Sequence, residues 1–153
     1  DSDAAARQTA ALESLAAYLS KGGIVGARAN MLAADIYFQK KDWNAAKDGY
    51  LKAAAAGEKL YTAAICHYNA GVCAEELGDN QSAASCYETA AGKEGFNLAP
   101  HALFNLGRVS ESLSDFAKAK ESYQKIIDTY SGDEFAKLAH SRLIALTAAG
   151  KLE

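Results

Sequence analysis

Apolar side chains recur at three- and four-residue steps along almost the whole chain, and glycines or acidic residues break the rhythm at regular intervals. That spacing puts the apolar positions on one face of a helix, so the pattern predicts a succession of amphipathic helices and no strand. The first covers about 4–19, with Leu12, Leu15, Ala16 and Leu19 on one face and Gly22-Gly23 ending it. Six more fall into three hairpins: about 24–40 with 43–56, 60–78 with 80–91, and 99–113 with 115–130. Asp42 and Ser114-Asp115 are suited to open helices, and Pro100 falls in a first turn, where its missing N–H costs nothing. An eighth helix over 133–148 carries Phe135, Leu138, Ala139, Leu143 and Leu146 toward the third hairpin. Lys137, His140, Ser141 and Arg142 would face water or flank that seam.

A second periodicity lies above the helical one. Ala34, Ala46 and Tyr50 are matched by Gly71, Ala83 and Tyr87, then by Gly107, Ala119 and Tyr123, in steps of 37 and 36 residues. A repeat of that length means stacked supersecondary units, each burying its face only against a neighbour. The small residues Ala34, Gly71 and Gly107 would let the two helices of a unit approach closely, with Ala46, Ala83 and Ala119 facing them. Tyr50, Tyr87 and Tyr123 would fill the wedge toward the next unit.

At these residues, and at Leu106-Gly107, the chain resembles the tetratricopeptide repeat family, with Trp43 and Phe116 opening second helices. It departs from that pattern at Asn80, where a large aromatic is usual, at Ala74 and Ser110, which stand where the first repeat has Tyr37, and in lacking a closing proline. The resemblance implies an all-α, right-handed α-α superhelix of three hairpins with a capping helix at each end. As one domain its parts would be 1–23, 24–59, 60–97, 98–132 and 133–153. Counted from the small residues, positions −3, −2, +1 and +4 share a helical face. These are Met31, Leu32, Asp35 and Phe38, then Tyr68, Asn69, Val72 and Glu75, then Phe104, Asn105, Arg108 and Glu111. In the family this face lines a concave peptide-binding groove, so the resemblance makes Met31, Asp35, Phe38, Tyr68, Asn69, Val72, Phe104, Asn105 and Arg108 the candidate partner-binding residues. Tyr68 and Phe104 would be aromatic anchors whose removal costs little stability, with Asn69 and Asn105 bonding a peptide backbone. The other reading makes this face a mere wall, or a groove filled by the first helix. The clamp that some members use for two carboxylates is matched only at Asn69; Met31, Asp35, His101 and Asn105 break it.

A shorter resemblance sets the scene. Residues 99–108 and the stretch from Tyr123 through Leu143 are similar to bacterial envelope tetratricopeptide proteins, such as the ancillary translocon subunit (YfgM-like) and the Tol-Pal-associated coordinator. This implies a non-enzymatic scaffold holding other proteins or peptides in the periplasm, or anchored facing it. The alternatives are a cytosolic adaptor or chaperone of a secretion system, and a regulatory module of a larger enzyme system.

Composition agrees and narrows the chemistry. Ala supplies 34 of 153 residues and Pro one, which favours close-packed helices. A net charge of −3 with mixed signs and no basic cluster argues against nucleic acid. No apolar run is long enough to span a membrane, and the start at Asp1-Ser2-Asp3 is compatible with a leader or anchor removed ahead of residue 1. Nothing in the sequence fixes an oligomeric state. Cys66, Cys73 and Cys86 form no metal-ligand spacing and read as small buried apolar residues; a disulfide from Cys86 to one of the others is the alternative. Cys66 and Cys73 on one helix are roughly 10 Å apart, too far to bridge. Cys66-His67 cannot act as nucleophile and base, because neighbours on a helix point about 100° apart. Glu75-Glu76 reads as a solvated helix end, and the glycine pairs lack the Lys-Ser/Thr of a phosphate loop. No catalytic residue, metal ligand or cofactor site is predicted.

Overall fold

The computed structural model describes residues 2–152, and they form eight α-helices, a short 3-10 turn and no strand. Two compact units, divided after Gly78, make up the chain. The first holds α1 (Ser2–Leu15), the 3-10 turn (Ala16–Tyr18), α2 (Gly23–Gln39), α3 (Trp43–Ala56) and α4 (Thr62–Glu76). The second holds α5 (Asn80–Ala91), α6 (Ala99–Ser112), α7 (Phe116–Thr129) and α8 (Glu134–Ala148). Within each unit every helix packs on the next, and α6 also reaches α8.

One joint recurs between consecutive helices. The residue closing the first helix is left-handed, Lys41 at φ 58°, Gly78 at 72° and Ser114 at 60°. After α2 and α6 the next N–H bonds back across the turn, Asp42 to the Tyr37 carbonyl at 2.9 Å and Asp115 to that of Ser110 at 2.8 Å. This satisfies carbonyls that a helix end leaves open. The same aspartate then caps the helix that follows. Asp42, Asp79 and Asp115 accept from the N–H groups of Ala45, Ser82 and Lys118 at 3.2, 3.0 and 3.0 Å. After α8, Gly150 (φ 66°) repeats the geometry, with the Lys151 N–H 3.0 Å from the Leu146 carbonyl.

Packing bears out the tyrosines as core: Tyr50, Tyr87 and Tyr123 are all buried. Two glycines allow close approaches in these seams. A Cβ on Gly49 would stand 2.9 Å from the Ala34 Cβ, and one on Gly107 would stand 2.5 Å from the Tyr123 ring. So Gly49 lies close against Ala34 and Gly107 leaves room for the Tyr123 ring, while Ala46, Ala83 and Ala119, expected to face the small residues, are fully buried. Leu103, Ala119, Tyr123, Ile126, Ala136, Ala139 and Leu146 form the core of the second unit.

Both end helices differ from expectation in detail. The first α-helix stops at Leu15, no residue of α1 is buried, and Ala16 and Leu19 are exposed. The chain is instead tied down after it, where the Asn30 side chain donates to the Leu19 and Gly26 carbonyls at 2.8 and 2.9 Å. In α8, Leu138 is 47 % exposed, because the helix turns its small residues Ala136 and Ala139 into the core. A backbone held close by alanines leaves the leucine two positions on facing outward.

Candidate partner-binding surface

The candidate residues divide between the two units, Met31, Asp35, Phe38, Tyr68, Asn69 and Val72 in the first and Phe104, Asn105 and Arg108 in the second. Several are engaged inside their own hairpins. Asp35 accepts from the Tyr50 hydroxyl at 2.6 Å. The Phe38 ring meets Trp43 edge-on at 5.1 Å and Tyr50 at 6.4 Å, so it closes α2 on α3. Phe104 packs on Tyr123 at 5.5 Å and Phe135 at 5.2 Å, flanking the core of the second unit. The expectation that Phe104 stands off its hairpin is therefore corrected. The face was assigned from spacing alone, and a ring at that position is long enough to swing back over the seam. Tyr68, Asn69 and Val72 are half-buried along α4, and Arg108 Nη2 donates to Asn105 Oδ1 at 3.4 Å.

Burial and hydrogen bonds shift the ionisation of the polar groups at these seams. Burial, then the bond to Asp35, pushes the Tyr50 hydroxyl pKa up. Burial works to raise the Glu111 carboxyl, but hydrogen bonds from Arg142 and Tyr123 outweigh it and hold the group below its usual range. The bonds are Tyr123 Oη at 2.6 Å, Arg142 Nε at 3.1 Å, and a second Arg142 contact through Nη2. Cys66, Cys73 and Cys86 are buried and joined in no disulfide, as read from the sequence. Burial, reinforced by the Asp35 charge, lifts the Cys66 thiol to about 11, which leaves it protonated and inert at neutral pH.

An open apolar surface lies elsewhere in the first unit. Ala27, Arg28, Met31 and Leu32 of α2, with Tyr61 and Thr62 at the start of α4, line a groove of about 260 Å³. Tyr61 is 88 % exposed and Leu32 51 %, with Ile24 and Val25 also half in water on α2. Of the nine large apolar residues exposed among those described, these four and the nearby-in-sequence Tyr18 and Leu19 make six. Leu32 and Tyr61, both in water and both lining the groove, make it a candidate contact surface. Met31 is the candidate that belongs to it. Sequence reasoning missed Tyr61, although a signal was available: Ile24 and Tyr61 both stand ten residues before a small seam residue, Ala34 and Gly71.

Residues 68–134 match the tetratricopeptide repeat family model. The likeness to tetratricopeptide repeats thus covers 67 of the 153 residues. They take in most of α4 and all of α5 through α7, including two of the capped joints. A TPR repeat-containing protein of Treponema pallidum (strain Nichols) is 36 % identical over 141 residues, or 92 % of this chain. The chain spans 59 % of that relative's length. Tetratricopeptide repeats generally mediate protein–protein interaction rather than catalysis. No helix among the described residues is long and apolar enough to cross a membrane.

Proposed function

We propose that this chain is a non-enzymatic interaction module that holds an apolar segment of a partner protein in the groove between α2 and the start of α4. The observation that carries this reading is Tyr61, a large ring almost wholly in water at the mouth of a concavity floored by Ala27 and Met31. Its apolar area gains from being covered, and tyrosine is enriched among binding hot spots. The setting is the bacterial cell envelope. That part rests on the resemblance at 99–108 and 123–143, and periplasmic fractionation of cells expressing the tagged gene product tests it. For the groove, the test is selection of random dodecapeptides displayed on phage, with the parent and a Leu32→Ser, Tyr61→Ser variant as baits. Both side chains are exposed, so the variant should melt like the parent. The parent should enrich peptides bearing Leu, Ile, Phe or Met, and the variant should lose at least tenfold in recovery. Equal enrichment by both baits would remove the groove from consideration.

A further inference from the structure

We infer that the groove reads charge as well as apolar shape: it takes a protein segment in which a single carboxylate stands beside the apolar anchor, and Arg28 pairs with that carboxylate. The inference rests on the groove reading above and adds the chemistry of the occupant. Arg28 is the one charged side chain among the lining residues, and no carboxylate lines the groove. It is exposed, and among the described residues it has no hydrogen-bond or ion-pair partner. Arg142 is consumed by Glu111, and Arg108 reaches Asn105. An arginine on an open surface is ordinarily just solvated, and pairs there contribute little. Arg28 differs in standing against apolar walls, where a covering segment would displace water and a charge pair strengthens. Its planar fork also suits a carboxylate bidentately.

The groove sets a limit on the acidity it accepts. Two turns along the same face of α2, Asp35 is half-buried and held by Tyr50. A second carboxylate extending in that direction would meet a like charge. The occupant therefore places its acid toward the N-terminal end of α2, its apolar side chain between Leu32 and Tyr61, and no acidic run beyond.

The same phage-displayed dodecapeptides serve as the probe, with Arg28→Gln and Arg28→Glu baits beside the parent and the Leu32→Ser, Tyr61→Ser bait. The parent pool should be enriched in Asp or Glu next to Leu, Ile, Phe or Met, and Arg28→Glu should shift that neighbour to Lys or Arg. A lead peptide is then measured by fluorescence anisotropy. Changing its acid to the amide, or Arg28 to Gln, should each weaken binding about three- to tenfold, and making both changes should add little more. Salt between 50 and 500 mM should weaken the parent and leave Arg28→Gln nearly flat. An apolar pool without acidic neighbours, or one that Arg28→Glu leaves unchanged, overturns the charge inference and leaves the groove standing. A pool that is indifferent to Leu32→Ser, Tyr61→Ser overturns both.

Discussion

Glu111 is the residue on which the second unit's polar order converges. It takes hydrogen bonds from Tyr123 in α7 and Arg142 in α8 while sitting on α6, so three helices meet at one carboxylate. Its pKa is held below the ordinary value in the fold. Folding thus gains from the ionised form above the unfolded pKa, and that gain disappears as pH falls through the depressed folded value. Thermal melts taken downward from neutral pH should show Tm dropping across the acid range below the usual carboxyl pKa. Glu111→Gln should melt lower at neutral pH, by roughly 1–2 kcal/mol for the lost charge-assisted bonds, with a flatter slope across that range. A parallel slope in the two proteins would mean that another carboxylate controls the transition. Phe104 poses the opposite case, an apolar residue whose role the structure moves from surface to core. Phe104→Ala should cost about 2–3 kcal/mol in urea unfolding, because it strips one ring from a stack of three at a half-buried site. A melt like the parent's would restore it as a surface residue.

At the scale of the element, the joints explain why the helices start and stop where they do. Helices α3, α5 and α7 begin one residue after an aspartate that caps them, and those aspartates recur at the same 37- and 36-residue steps as the seam residues. Repeat and joint are one signal, so helix ends at Asp42 and Asp115 were legible. The left-handed turn before them was not fully so. Gly78 and Gly150 announce it, but Lys41 and Ser114 adopt it without the residue that does so freely. Side chains of that kind are strained at positive φ by roughly 1–2 kcal/mol, part of which glycine returns as backbone entropy. Ser114→Gly should therefore raise stability by about 0.5–1 kcal/mol, read as a higher urea midpoint with unchanged m-value. An unchanged or lower midpoint would show that the Ser114 side chain compensates locally. End helices were the least legible elements, because a helix covered on one side only is free to rotate toward whichever small residues fit. Leu138 faces outward for that reason.

For the whole chain, periodicity disclosed the helices and their order because seam packing repeats a geometric demand that only small residues meet. The binding surface carries no such demand. Tyr61 and Leu32 are identified by being uncovered, and exposure is decided by residues far along the sequence. Asp35, Phe38 and Phe104 matched the groove register as well as Met31 did; only their contacts separate them. The joints have a further consequence, for where length can change. Three connections between consecutive helices have three residues each, 40–42, 77–79 and 113–115, and each is committed to closing one helix or opening the next. The connections that alternate with them along the chain, 57–61, 92–98 and 130–133, differ in length. Helix α5 has 12 residues where α3 has 14, and the loop after it is longer by the same two. The chain thus has hard corners and soft corners in alternation. Insertions belong at the soft ones, where slack already compensates for a shortened helix, while one extra residue at a hard corner would part the closing turn from the aspartate that caps the next helix.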